Sequence, residues 1–311
     1  VRNKMDAIML VLVEACNIIY SSKQLILLKF QQMFRAIYFI VCLLCCTMYS
    51  AAHAQSFTTI SFNIRYDNPA DGVNNWHQRK VDLTDFLIHK QPLFVGVQEA
   101  LYRQVQFMDS VMENYTYLGV GRNDGKLAGE FAPVFYDSTR VKLLSANTIW
   151  LSETSDTVSI GWDAALPRIC SYGLFEIKST RKKIWVFNTH FDHMGEFART
   201  ESAKVVLNQI AMENKSQYPV ILMGDFNCTE KSLPIQYILS QFEDAKLAAT
   251  IPFEGIKGTF NGFDTLSVPE KCIDFIFVQG IHVKSLEHPV TKTKNDLWIS
   301  DHLPVVGVLE L

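Results

Sequence analysis

The stretch PVILMGDFN, residues 219–227, holds the choice between two readings of this chain. Four consecutive apolar residues, Val220 to Met223, describe a buried strand that runs directly into Gly224, Asp225, Phe226 and Asn227. Gly, Asp and Asn are turn residues for steric and hydrogen-bonding reasons, so the ending reads as a plain turn. It reads equally as a strand that delivers a carboxylate and an amide to a reaction centre. Other strand ends must decide.

Further β-like runs rich in Val, Ile and Phe lie at 57–64, 93–100, 132–137, 183–190, 272–278 and 303–311. Polar residues gather at or near their ends: Asn63 in ISFNIR, Glu99 in VGVQEA, Glu130 in GEFAPVFY, His190 and Asp192 in NTHFDHMG, Asp274 in CIDFIF, and Asp301 with His302 in SDHLPV. Each has an ordinary explanation alone. Glu99 could cap a helix, Asn63 could close an Asx-turn, and His302 could be a satisfied core histidine. As a set they are harder to dismiss, because carboxylates and amides are the hard oxygen ligands that suit Mg²⁺. Asp225 beside Asn227 adds a carboxylate to orient a water and an amide donor, the pairing that phosphate-ester hydrolysis needs.

The 311 residues are 48% apolar, ample for a packed core. The start is unusual. Met33, Phe34 and Arg35 precede the apolar run AIYFIVCLLCCTMYSA, with Ala52 and Ala54 where a cleavage site wants small residues. Residues 33–54 read as a secretory signal peptide, with an uncleaved anchor as the alternative. Residues 1–32 then fit an upstream start assigned too early, and an exported protein without stable membrane insertion is expected. Loss of residues 1–54 removes five of 29 basic and two of 32 acidic residues, leaving 24 against 30 and a net charge of −6. That balance argues against a broad phosphate-tracking surface. Cys170, Cys228 and Cys272 remain, cannot all pair, and read as buried thiols.

Helical periodicity covers 79–91 and 195–215, where Ala203, Val206, Leu207 and Ile210 share a face. No repeat or linker interrupts 56–311, so residues 55–311 are expected to form one domain. Helices alternate with some strands but not between 131 and 151, which predicts a layered α/β sandwich with mixed or antiparallel sheets.

The ordered series FNIR, QE, THFDH, GDFN and SDH resembles the endonuclease/exonuclease/phosphatase superfamily across essentially residues 56–311. RYDNPADGVNNWHQRK and GWDAALPRIC further resemble exported bacterial members. The resemblance implies an α/β, four-layered sandwich of two packed mixed β-sheets flanked by helices, and a Mg²⁺- or Mn²⁺-dependent phosphoesterase. It implies that Asn63, Glu99 and Asp301 lie at the metal, that His190 and His302 face the phosphate, and that Glu130 and Asp274 hold those rings. It further implies that Asp225 activates the water, that Asn227 supports the transition state, and that Arg168 contacts phosphate, while Asp192 is structural.

Two zinc or di-iron enzyme classes share fragments of this pattern. A metallo-β-lactamase site needs a histidine where Asn188 stands, and a calcineurin-like phosphatase needs a second G-D segment and a G-N-H motif, neither of which is present. A noncatalytic binding module that kept the fold and a secreted nuclease of the same family remain as alternatives. Trp76, Arg79, Trp162, Arg168, Phe260 and Phe263 are expected to shape the pocket, for a small or amphipathic phosphoester rather than duplex DNA, in a protein acting as a monomer.

Overall fold

The computed structural model describes residues 2–50 and 56–311, and of residues 2–4, 6–8, 25 and 42–50 the backbone alone. The chain divides into two units between residues 54 and 55. In the first, helix α1 (Arg2–Ser50) runs unbroken through residues 32 and 33, and its stretch Met9–Val41 is long and apolar enough to cross a membrane. The expected cleavage positions Ala52 and Ala54 lie outside the described residues.

The second unit holds two six-stranded sheets. One runs β13 (His282–Glu287), β14 (Val305–Glu310), β1 (Ser56–Asn63), β2 (Phe94–Gln98), β6 (Val134–Asp137) and β4 (Tyr115–Leu118). The other runs β11 (Glu243–Asp244), β12 (Asp274–Gln279), β10 (Val220–Asp225), β9 (Lys183–His190), β8 (Ile169–Ile177) and β7 (Val141–Trp150). A two-stranded ladder pairs β3 (Ala100–Leu101) with β5 (Glu130–Phe131). Each large sheet contains one parallel pair, β1 with β2 and β9 with β10, and the rest is antiparallel. A parallel pair needs a long crossover, and the two expected helices supply it. They are α2 (Trp76–Lys90) between β1 and β2, and α4 (Glu196–Glu213) between β9 and β10. Short helices α3 (Tyr102–Val111), α5 (Leu233–Leu239) and α6 (Ala245–Ala248) complete the unit.

Strand alternation builds four layers. In β10, Ile221 and Met223 join the core between the sheets, with Phe94, Val134, Phe175 and Ile276. Val220 and Leu222 face the other way, onto Ala203, Val206, Leu207 and Ile210 of α4. Ile60, Phe62, Val95 and Val97 of the first sheet pack in the same manner on Leu83 and Leu87 of α2 and Val105 and Met108 of α3. Helices therefore cover both outer faces, as the sandwich expectation requires. Cys170, Cys228 and Cys272 are free and buried.

The space between the sheets turns polar toward one end. Asn188 Nδ2 donates to the carbonyls of Val97 and Pro133, both at 2.8 Å, and its Oδ1 accepts from Gln98 Nε2 at 2.6 Å. Gly96 makes room for this amide, since a Cβ there would stand 2.7 Å from Asn188 Oδ1. The buried position that failed to carry a zinc-binding histidine is thus a polar rivet between the sheets.

Gly224 answers to the same crowding. Its φ is +155°, and a Cβ would stand 2.2 Å from the carbonyl oxygen of Thr189 on the neighbouring strand. Gly224→Ala is expected to cost about 2–5 kcal/mol through overpacking and backbone strain together. Gly307→Ala, whose Cβ would meet nothing nearer than 3.6 Å, serves as control. Urea unfolding should lower the midpoint strongly for the first and little for the second; equal midpoints would contradict the steric argument.

Candidate active site

Register places the polar strand ends side by side. Asp225 at the end of β10 pairs with His190 at the end of β9 and with Asp274 at the start of β12. On the other sheet Asn63, the last residue of β1, pairs with Gln98, so Glu99 emerges at the same end. Asp301 and His302 precede β14, and Arg168 precedes β8. All ten candidate residues therefore converge on one end of the sandwich. Eight of them line a cleft of about 620 Å³ there; Asp274 lies behind His302 at 2.8 Å, and Asn63 Nδ2 reaches Glu99 Oε1 at 3.1 Å and Asp225 Oδ2 at 2.9 Å.

The left-handed backbone recurs at this end. Arg65, Glu99 and Asn227 adopt φ of +58°, +64° and +50°, although none is glycine. Such conformations cost of order 1–3 kcal/mol each and persist where surrounding structure enforces them. Asn227 N–H donates to Asp225 Oδ1 at 2.9 Å and Arg65 N–H to Asn63 Oδ1 at 3.0 Å, so the site's own side chains do the enforcing.

The two histidines are poised oppositely. His302 Nδ1 contacts Asp274 Oδ2 at 2.8 Å, and its Nε2 lies 3.8 Å from Asp225 Oδ2. Burial opposes charge on this ring, but the carboxylates of Asp274, Asp225 and Asp301 together outweigh it, Asp274 foremost, and hold the imidazolium well above the usual histidine range. His190 is pushed well below that range, first by burial and then by the Arg168 and Arg122 guanidiniums. Its Nε2 accepts from Asn227 Nδ2 at 3.1 Å. One ring is a charged donor and the other a neutral imidazole. Divergence of this kind separates acid from base roles within a site.

Burial also raises the carboxylates. Asp225 is pushed up to about 7 by desolvation and by the Asp274 charge, and Glu130 to about 7 by desolvation. Glu130 accepts two hydrogen bonds from Arg122, at 2.7 and 2.9 Å, and its Oε2 lies 3.8 Å from His190 Nδ1. The direct ring-holding contact expected of Glu130 is thus made to Arg122, and Asp274 alone bonds its histidine. Arg168, 4% exposed, is braced on three sides: Nε donates to Asp192 at 3.1 Å, Nη2 to His193 Nδ1 at 2.9 Å, and Nη1 lies 3.1 Å from His190 Nε2. Asp192, outside the cleft lining, braces Arg168 and is held at about 2 against desolvation by the Gly195 and Met194 N–H groups.

Several pocket expectations are corrected. Trp76 and Arg79 are buried, at 3% and 1% exposure, in or beside the core under α2. Phe263 faces the Arg79 guanidinium, and Trp162 stands edge-on to Phe197. Phe260 does line the cleft, 42% exposed, with its ring edge-on to His302. The cleft also takes Arg65, Tyr66, Leu166, His193, Lys271 and Ile273. The sequence reading missed Arg65, Arg122 and His193; an unpartnered acid such as Glu130 was the available signal for Arg122.

Ligand atoms of Glu99, Asp225 and His302 lie within 4.8 Å of one another, and because His302 is held as a donor by Asp274, the carboxylates are the atoms a cation fits. Asp301 adds a carboxylate, with Arg65 Nε at 3.8 Å.

The chain is 39% identical to an endonuclease/exonuclease/phosphatase structure from Bacteroides vulgatus, with a TM-score of 0.78 over 83% of this chain and 99% of that one. It is 35% identical to a mannosyl-6-phosphatase of Bacteroides thetaiotaomicron, with a TM-score of 0.78 over 81% of this chain and 99% of that one. An uncharacterized protein of Acanthamoeba polyphaga mimivirus is 26% identical over 255 residues, covering 76% of this chain and 93% of the viral protein. Residues 60–302 match the family profile, a span that begins in β1 and ends on His302, and the chain thus belongs to the endonuclease/exonuclease/phosphatase family.

Proposed function

We propose that the protein is an exported, Mg²⁺-dependent phosphoesterase that hydrolyses a phosphomonoester of a small polyhydroxylated or amphipathic group, a sugar phosphate foremost. The observation that carries this reading is the convergence in one cleft of His302 braced by Asp274, His190 held by Asn227 and Arg168, and Asp225 beside Glu99. Support for the substrate class comes from the 35% identity to a mannosyl-6-phosphatase.

The chain's own residues suffice to orient the reaction. A phosphoryl group in the cleft meets a donor from His302 Nε2 beside the braced Arg168, while Asn227 Nδ2 donates to His190 Nε2 and to the Phe191 carbonyl and so aims the second ring. Asp225 takes a proton from the attacking water, and its pKa of about 7 suits a general base near neutral pH. Asn63 Nδ2 keeps that carboxylate aimed. Asp274 keeps His302 charged, so the ring donates to phosphoryl oxygen as negative charge builds. Glu99 and Asp301, with Asn63 beside them, would hold Mg²⁺, which when bound polarises a phosphoryl oxygen and stabilises the leaving oxygen.

Charge placement supports a small substrate over duplex DNA. Of the two tight basic clusters, QRK at 78–80 has its arginine buried. TRKK at 180–183 lies at the start of β9, seven residues and about 23 Å from His190 at the other end. Neither can meet a backbone carrying one charge per about 1.7 Å at the cleft.

Chelation should abolish activity and Mg²⁺ or Mn²⁺ should restore it; full turnover in excess EDTA would contradict the metal requirement. Asp225→Asn should lower kcat by roughly 10²-fold or more without unfolding the protein. Asp274→Ala should act through His302, so the Asp274→Ala/His302→Ala pair should cost much less than the sum of the singles. Additive losses would break that assignment. On a panel matched for Mg²⁺ at low salt, hexose phosphates should show a higher kcat/KM than duplex DNA, and the reverse order, weakening steeply with salt, would point to a nuclease instead.

A further inference from the structure

Arg79 is the one large charged side chain that is fully buried among the described residues, and it touches none of the reacting groups. No carboxylate lies within 4.0 Å of it among the described residues. Its hydrogen bonds all go to backbone carbonyls: Nε to Asn74 at 2.6 Å, Nη1 to Ile64 at 2.7 Å and to Ile299 at 2.9 Å, and Nη2 to Arg65 at 3.2 Å. Trp76 and Phe263 flank the guanidinium, 5.7 and 5.5 Å from ring centre to Cζ.

The identity of those carbonyls matters. Ile64 and Arg65 follow Asn63 directly, and Ile299 precedes Asp301 by two residues. A single nitrogen, Nη1, therefore ties the end of β1 to the segment that carries Asp301. Ser300 Oγ makes a parallel tie, donating to the Asn63 carbonyl at 2.6 Å. The loop of Phe263 is bound to the same segment, since Asn261 and Gly262 N–H groups donate to the Asp301 carbonyl at 2.8 and 3.0 Å. Asn63 in turn donates to Glu99 at 3.1 Å.

We propose that Arg79 is a positioning residue of the cation site: from helix α2 it clamps the backbone on which Asn63 and Asp301 stand, and so sets their separation from Glu99. The inference rests on the metal-dependent reading above. Arginine suits the task because its planar fork reaches several carbonyls at fixed angles, whereas lysine offers one compact ammonium. Hard cations such as Mg²⁺ tolerate little deviation from octahedral geometry, so a loosened separation between carboxylates weakens binding directly.

Mn²⁺ binding to the full chain in mild detergent, followed by titration calorimetry and by the metal-induced rise in Tm, tests the clamp without any substrate. Arg79→Lys should weaken Mn²⁺ at least tenfold, and Arg79→Met more. Leu83→Ala, which empties core volume on the same helix away from these carbonyls, should lower Tm and leave the Mn²⁺ Kd within twofold. Ser300→Ala should weaken Mn²⁺ severalfold, and combined with Arg79→Lys the losses should be non-additive because both ties join the same two segments. Should Arg79→Met fail to fold, the Lys variant and the Ser300→Ala cycle decide. An unchanged Kd in Arg79→Lys, or an equal loss in Leu83→Ala, overturns the clamp and leaves the metal reading standing. A wild-type chain that binds no Mn²⁺ overturns the metal reading itself.

Discussion

Half of the catalytic constellation stands on each sheet, so everything depends on how firmly the two sheets are held at one end. Apolar packing between sheets resists separation but resists sliding poorly, because it is non-directional. Direction comes from two buried amides. Asn188 reaches from β9 to the carbonyls of Val97 and Pro133 and to Gln98, and Asn63 reaches from β1 to Asp225 on β10. Buried amides left unpaired would cost several kcal/mol each, and these are well bonded, which makes any slipped arrangement expensive. Gly96 belongs to this device because only a residue without Cβ leaves space for the Asn188 amide.

Holding the sheets in register concentrates charge that would otherwise drive them apart. Glu99, Asp225, Asp274, Asp301 and Glu130 gather with Arg65, Arg122, Arg168 and two histidines at the same end. The protein answers by pairing rather than by solvation. Asp274 is spent on His302, Glu130 on Arg122 and Asp192 on Arg168, which leaves Glu99, Asp225 and Asp301 as the acids that crowd one another. Desolvation raises Asp225 and Asp301, helped at Asp225 by the neighbouring Asp274 charge and at Asp301 by Glu99, and a cation or a donor relieves both. Strain at Arg65, Glu99 and Asn227 adds to the same store, in keeping with a site that trades stability for preorganisation.

The strands that carry chemistry were legible because each is a short apolar run ending in a polar residue, a contrast visible without tertiary information. β10 and β9 appear within about two residues of their expected bounds, and the α4 face of Ala203, Val206, Leu207 and Ile210 is buried as periodicity implied. β8 and β13 were not anticipated. ICSYGLFEI and HVKSLE interrupt their apolar residues with Ser, Gly or Lys, and pairing on both sides or at an edge, rather than local pattern, makes them strands. His193 was invisible for a related reason: its importance lies in a partner distant in sequence, Arg168 twenty-five residues earlier.

Arg79 and Trp76 show how a correct helix can carry an incorrect inference. Within NNWHQRK, an aromatic and a base after a strand suggest a rim that greets substrate, and charge is ordinarily at the surface. Helix α2 begins at Trp76, however, three residues before the expected start, so Trp76 and Arg79, three apart, share one helix face, and that face is turned inward. The guanidinium then finds four carbonyls where a surface arginine would find water. Arg65 among these has a left-handed backbone and Asn74 ends a short 3-10 turn, so the segments beside Asn63 and Asp301 draw a buried donor from elsewhere. The polar strand ends were readable because they act on the ligand; the residue that stiffens them acts on the backbone, which has no sequence, and only the folded path of the chain identifies it.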